Sequence, residues 1–366
     1  MSHARFIAVI AAVLPTVSAF AGTYAVGTCL PNLISYPTIS QAVSAVSAAS
    51  TIQVCPGDYP EQVVISKPLT LQGVVSRNSG AAVVTVPSGG LTQSIQTSAF
   101  SGPVFYQILV QNTSGPVDIS NLAVDGTGET AQTDIVAGIF YLDSTGTVNN
   151  ASARNQPGDF GSGILAVTTL SGAQTVTIQN NVVRGLQSSG SFGIVGYAAA
   201  GALTTNITGN TVRCSTNVGC GLGIEVYRTA GTIQSNTVSG ATYGILLFDS
   251  NVTTAQNTVS SSATGVALYT ASGSVTGNQI DAGGQIGVSL VGYVTTKPVV
   301  QGNTISNSST AILGCDSTDD DNANGYTVTG NIVRDAAVGI QMPPDKNIIS
   351  PNTYYATATV MAKPCE

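Results

Sequence analysis

Residues 243–249 read YGILLFD, and 21 positions on, counted from Gly244 to Gly265, residues 264–270 read TGVALYT. A Gly, an aliphatic, a free position, an aliphatic and an aromatic return in the same order. The figure recurs as GIFYL from 138, GILAV from 163, GIVGY from 193 and GIEVY from 223, then as GVSLV from 287, AILGC from 311 and GIQMP from 339. Successive copies are 25, 30, 30, 21, 21, 22, 24 and 28 residues apart. A floor near 21 with excess on one side only describes a fixed circuit that carries loops of varying size.

A second repeat keeps step with the first. An Asn is followed two residues on by an aliphatic in NNVV (180–183), in NTV at 210, 236 and 257, in NQI at 278, in NTI at 303 and in NIV at 331. Asn tolerates left-handed backbone angles and bonds its own neighbours, so it suits a tight bend between strands. Stacked copies predict a ladder of side-chain amides inside the coil. A circuit of about 21 residues is too short for a propeller blade, which needs about 40. It fits three short strands and three turns, each coil stacking on the last at about 4.8 Å. The chain is therefore expected to be all-β, a parallel β-helix. In the circuit 236–256 the alternation places Ile245 and Leu247 inside, with Leu246 and Phe248 outside.

Composition agrees with strands and turns. Only 8% of the 366 residues are charged, there is no Trp, and there are 41 Gly. Length alone would suggest two domains, but the repeat makes one. With a net charge of −7 and a pI near 4.5 the chain repels a phosphate backbone, so nucleic acid is excluded as a partner.

The N-terminus reads as a signal peptide over 1–21. An apolar run from Phe6 to Val17 precedes Ser18-Ala19-Phe20-Ala21-Gly22, with cleavage expected after Ala21. No other stretch approaches the roughly 20 apolar residues that span a bilayer, so the mature chain, 22–366, is expected to be exported with no membrane span. The single histidine, His3, leaves with the signal, which removes the usual general base. Six cysteines remain: Cys29, Cys55, Cys214, Cys220, Cys315 and Cys365. In an oxidising compartment they read as disulfides. Nearness in sequence pairs Cys29 with Cys55 and Cys214 with Cys220, and elimination pairs Cys315 with Cys365.

In residues 36–50, Ile39, Ala42, Val43 and Val46 recur at helical spacing, and a short helix there is expected to cap the open end of the coils. Residues 51–135 read as N-terminal coils with long loops, 136–345 as regular coils, and 346–366 as a C-terminal tail.

YPTISQAV, IQVCPGDYPEQVVI and PLTLQG, followed by the Gly-Asn-aliphatic repeats, resemble the right-handed parallel β-helix proteins of the pectin-lyase-like superfamily, in particular its secreted repeat proteins. The resemblance covers nearly all of the mature chain. It implies a right-handed, single-stranded solenoid and a polysaccharide partner. Several activities occur in that superfamily, and fold does not choose among them. GDYPE (57–61) is similar to the Gly-x-Tyr-x-Glu opening of pectin methylesterases, but their Gln and paired-Asp segments have no counterpart here. The Asn-Thr-Asp and Gly-His-Gly segments of polygalacturonases are absent, as is the His of alginate epimerases. A polysaccharide lyase or glycoside hydrolase and a non-catalytic structural or adhesive protein both stay open.

Two features point to ligands. In CDSTDDDNANG (315–325), Asp320, Asn322, Asn324 and Gly325 have the spacing of the first half of a Ca²⁺ loop. A solvated polar loop is the other reading, and no cofactor is required. The second feature is the aromatic of YGILLFD. The nine segments align Leu142, Val167, Tyr197, Tyr227, Phe248, Tyr269 and Val291 at one outward position, so Tyr197, Tyr227, Phe248 and Tyr269 form a column. Rings about 4.8 Å apart are expected to stack on successive sugars. Glu225 faces outward among them as acid or base. Arg228, one residue beyond Tyr227, is placed to engage a uronate carboxylate, and Asp249 holds the same place one coil on. The alternatives are that aromatics are simply good strand residues, that Arg228 and Asp249 are a surface ion pair, and that a loop such as 143–162 covers the face. The expectation is a secreted protein that binds, and in the enzyme reading processes, a uronic-acid-containing polysaccharide.

Overall fold

The computed structural model describes residues 21–75, 80–130, 135–186, 188–215, 219–260, 263–292, 296, 298–314 and 324–362. The expected signal peptide up to residue 20, and with it His3, lies outside the described residues, as do Cys315, Asp320, Asn322 and Cys365.

Each circuit of the chain lays down strands that pair in parallel with those of the circuits before and after it. In one circuit these are Thr237–Ser239, Ala241–Phe248 and Asn251–Ala255, and in the next Thr258–Ser260, Thr264–Tyr269 and Val275–Thr276. The third strands collect in a 14-stranded sheet and the other two sets in a 23-stranded sheet. Register is kept across coils: Ile224 faces Ile245, which faces Val266, and Tyr227 faces Phe248, which faces Tyr269. The molecule is the expected parallel β-helix. Strands continue through Ile348–Ile349, Thr353–Tyr355 and Thr359–Met361, so coils extend into the segment read as a tail. Its chain carries the Asn of the repeat at Asn352, which the aliphatic rule misses because Tyr354 stands where an aliphatic was sought.

The repeat has a steric cause. Ile245, Leu247, Val266 and Leu268 are fully buried inside the coil, and each is worth roughly 1.5–3 kcal/mol. The Gly before each pair marks a close approach between coils. A Cβ at Gly223 would lie 2.3 Å from Val238 Cγ1 and 2.5 Å from the carbonyl oxygen of Gly244, the same position one coil on. A side chain there forces neighbouring coils apart.

The Asn repeat forms the amide ladder that the sequence predicts. Asn181, Asn210, Asn236, Asn257, Asn278, Asn303, Asn331 and Asn352 are joined in chain order, each Nδ2 donating to the next Oδ1 at 2.9 Å. Each Oδ1 also accepts from the preceding Asn backbone N–H, as in Asn236 to Asn257 at 2.9 Å. The expected backbone reason needs correction. The left-handed residues are those just before the ladder, namely Asn180, Gly209, Ser235, Gln256, Gly277, Gly302 and Gly330. The ladder Asn turns inward because its predecessor takes the bend.

A helix, α1 (Ile39–Ala45), lies within the expected span, with Thr38 as N-cap and Ile39, Ala42 and Val43 buried. It is shorter than 36–50 because Ser35–Tyr36 and Ser50–Val54 are strands. Glu61 of GDYPE accepts from the N–H groups of Ile39 and Ser40, both at 2.8 Å, at the start of α1. Tyr59 donates to the Cys55 carbonyl at 2.8 Å. Both side chains tie the first coil together. Disulfides join Cys29 to Cys55 and Cys214 to Cys220, as the spacing predicts.

The outer face of the early coils is covered. Phe140, Leu142, Leu165 and Val167 point outward, yet each is at most 4% exposed. They form a second apolar cluster with Val104 and Tyr106, against which Ile95, Ala99 and Phe100 pack. The cover is therefore the segment leading into Val104–Gln111, with Ser94–Ile95 paired antiparallel to it, and not the loop 143–162. Leu142 and Val167 are apolar because they sit under that cover.

Candidate functional site

The cover ends at Tyr197, where the outer face opens. Two outward columns run beside each other there. One aligns Leu165, Val195, Glu225, Leu246, Ala267 and Ser289, and the other aligns Val167, Tyr197, Tyr227, Phe248, Tyr269 and Val291. Glu225 is thus a carboxyl flanked within its own column by Val195 and Leu246. Burial pushes its pKa up to about 7 from the usual 4.5, because little else stabilises the charged form. It lines a pocket of about 190 Å³ with Phe100, Ile135, Ser162, Leu165, Phe192, Val195 and Tyr197. A second hollow of about 370 Å³ adjoins it and shares Phe100, Ile135 and Phe192.

The four rings of the expected column do line up, and Phe100 of the cover extends them. Phe100 to Tyr197 is 5.5 Å between centroids, Tyr197 to Tyr227 is 4.5 Å, Tyr227 to Phe248 is 5.4 Å and Phe248 to Tyr269 is 5.9 Å. Tyr197 and Tyr227 lie within 12° of parallel, and Phe248 and Tyr269 within 13°. The faces of the inner rings are therefore occupied by one another. Coils about 4.8 Å apart bring rings within stacking distance of their own kind, so the ladder offers edges and not faces to an extended sugar chain.

Arg228 and Asp249 both have left-handed backbone angles, with φ of 52° and 47°. Their side chains meet, Nε to Oδ2, at 3.6 Å, and the Arg228 guanidinium lies 4.9 Å from the centre of the Tyr227 ring. They form the surface pair that the sequence allowed, and Asp249 also accepts a hydrogen bond from the Thr270 hydroxyl. Tyr197 is held above the usual tyrosine range chiefly by burial, with Tyr227 and Glu225 adding to the rise and the Arg228 charge opposing it. Glu225, Arg228 and the two tyrosines thus share one neighbourhood.

Three pocket residues carry no sequence signal. Phe100 comes from an irregular segment, Phe192 precedes the Gly of its repeat, and Ser162 is a buried hydroxyl with no hydrogen-bond partner. Of the three expected calcium ligands, Asp320 and Asn322 lie outside the described residues and Asn324 lies within them. Among the described residues no group of three or more His, Cys, Asp or Glu is clustered to hold a metal, and no helix is long and apolar enough to cross a membrane.

Residues 222–358 match the family model described as the right handed beta helix region. No curated protein matches the sequence. Among solved structures, the chain is similar to a GH136 lacto-N-biosidase from Eubacterium ramulus, with TM-score 0.63 and 11% identity over 94% of this chain and 68% of that one. It is also similar to a PL6 alginate lyase in complex with a trisaccharide, with TM-score 0.57 and 11% identity over 94% and 88%. A third is the catalytic domain of a GH87 alpha-1,3-glucanase in complex with nigerose, with TM-score 0.50 and 13% identity over 93% and 68%. The fold is that of the right-handed parallel β-helix proteins, as the resemblance implied.

Proposed function

We propose that the protein is an exported β-helix that binds an extracellular, uronic-acid-containing polysaccharide along its outer face, beside Glu225. The observation that carries this reading is a carboxyl with a pKa of about 7 in an open, apolar-walled pocket, directly beside a column of aromatic rings in which Phe248 is 37% exposed. Structural neighbours named for action on sugars support the carbohydrate class. In this reading the hydroxyls at the ladder's edge, from Tyr227 and Tyr269, bond sugar hydroxyls. Arg228, with donors beyond the one turned to Asp249, takes the uronate carboxylate. The signal over 1–21 directs export, and α1 closes the open end of the first coil.

Among the pocket's lining residues Glu225 is the single carboxyl, short of the pair that glycoside hydrolysis uses. Binding is accordingly the better-supported half of the reading, and turnover, with Glu225 as acid or base, is scored in the same experiment. A second reading, a non-catalytic structural or adhesive protein, is favoured by the mutual stacking of the rings. The test is retention on immobilised polygalacturonate, alginate and glycosaminoglycan, with unsaturated-uronate absorbance and reducing ends recorded in parallel. The double variant Tyr227→Phe with Tyr269→Phe preserves stacking and removes the hydroxyls. It is expected to keep the wild-type Tm and lose retention by about tenfold, a typical effect of unmade hydrogen bonds. Full retention by the double variant would make the ladder structural.

A further inference from the structure

The pocket at Glu225 holds more chemistry than a uronate chain uses. Five of its eight lining residues, Phe100, Ile135, Leu165, Phe192 and Val195, are apolar, so a fitting group must itself have an apolar part. Its polar groups are few and specific. Ser162 is fully buried with a hydroxyl that has no partner among the described residues, which is unfavourable until something bonds it. Among the described residues Glu225 has no hydrogen-bond partner to hold its charge, and burial pushes its pKa up to about 7, so it is protonated in mildly acidic solution.

A sugar hydroxyl would satisfy Ser162 and leave the phenyl and aliphatic walls against a polar group. A uronate carboxylate would be desolvated by those walls and would face a second carboxyl. An acetamido group suits every surface. Its methyl meets the apolar walls, its carbonyl accepts, and its N–H donates. The N–H and C=O of a trans amide point opposite ways, so a protonated carboxyl at Glu225 donates to the acetamido carbonyl alone, leaving Ser162 to bond that oxygen's second lone pair.

We propose that this pocket takes the N-acetyl group of an acetamido sugar, and that the glycan on the outer face combines N-acetylhexosamine with uronate. The inference rests on the polysaccharide-binding reading above and adds the substrate class. Arg228 follows Tyr227, where the strand carrying Glu225 ends, and it is not among the residues that line the pocket. An acetamido sugar in the pocket therefore leaves room for a neighbouring uronate at the guanidinium. The adjoining hollow that shares Phe100, Ile135 and Phe192 gives the chain a path past the pocket.

Titration calorimetry with N-acetylglucosamine, glucose, a hyaluronan oligosaccharide and an oligogalacturonate, each at pH 5.5 and 8.5, tests this directly. At pH 5.5 N-acetylglucosamine binds over glucose, and hyaluronan over oligogalacturonate, by about tenfold or more. Both preferences shrink at pH 8.5, where Glu225 loses its O–H. Glu225→Ala abolishes them, whereas Glu225→Gln, whose amide also donates and accepts, keeps them and removes the pH dependence. Melting curves confirm that both variants fold. Equal affinity for hyaluronan and oligogalacturonate overturns the inference and leaves the polysaccharide reading intact. Neither polymer binding, with a Glu225-dependent preference for N-acetylglucosamine retained, overturns the polysaccharide reading and sustains the pocket assignment. No binding by any probe overturns both.

Discussion

Glu225 is the residue at which the outer face departs from ordinary strand chemistry. Its column neighbours Val195 and Leu246 remove water without replacing it by a donor, and its carboxyl is pushed up to about 7. Stability follows from linkage. Below about pH 4.5 the carboxyl is protonated whether the chain is folded or not. Between about 4.5 and 7 the unfolded chain has released the proton and the folded one retains it, so stability falls as pH rises, and above about 7 the loss is complete. Glu225→Gln removes the ionisation. Its Tm is therefore expected to match wild type at pH 4 and to exceed it at pH 8, measured by thermal scans across that range. Parallel curves for the two proteins at every pH would show that Glu225 is solvated after all.

At the scale of the element, the amide ladder does for the turns what backbone bonds do for the strands. Asn257 Oδ1 accepts from both the backbone N–H and Nδ2 of Asn236, while its own Nδ2 donates to Asn278 Oδ1 and to the Ile233 carbonyl. Asn257 is fully buried, so no water reaches the groups that a truncation would free. Asn257→Ala leaves two donors of Asn236 unmatched at about 1–3 kcal/mol each, and a loss of roughly 3 kcal/mol or more is expected in denaturant titrations. By contrast Gln256, just before it, sets the bend through its left-handed angle, φ 55°. Gln256→Gly relaxes that angle and is expected to change stability by no more than about 1 kcal/mol. A loss below 1 kcal/mol for Asn257→Ala would show that the ladder adapts to a gap.

At the scale of the whole molecule, the outer face of the early coils lies under a cover formed by the segment before Val104. Phe100 is the point where cover and column meet, packed 5.5 Å from Tyr197. In a stack whose coils touch their immediate neighbours, damage stays local. Phe100→Ala is expected to lower stability by about 1–3 kcal/mol. It should raise hydrogen exchange in Val104–Gln111 and Phe192–Ala198, with Asn251–Ala255 as well protected as before. Exchange rising equally along the whole chain would mean that the cover contributes to a single cooperative unit.

The coil was legible because its cause is local and periodic. A close approach repeats Gly, a buried amide repeats Asn, and alternation sorts Ile245 from Leu246, all within a 21-residue step. The pairing of Cys29 with Cys55 and of Cys214 with Cys220 was readable for the same reason, since both bonds link chain neighbours or adjacent coils. The column of Tyr197, Tyr227, Phe248 and Tyr269 was legible as positions but not as geometry. Alternation says which side a ring is on, whereas the spacing and tilt of coils decide whether its face meets a ligand or the next ring. The pocket was not legible at all. Ser162 and Phe192 are register partners on adjacent coils, at a position before the repeat's Gly where the repeat fixes no residue type, and Phe100 shares a wall with them and Glu225 only because a non-repeating segment folds back over the early coils. Sequence alone determined the solenoid, since each coil repeats one solution to the same packing problem. Tertiary structure decided the site, since burial of a single carboxyl depends on what a distant loop lays beside it.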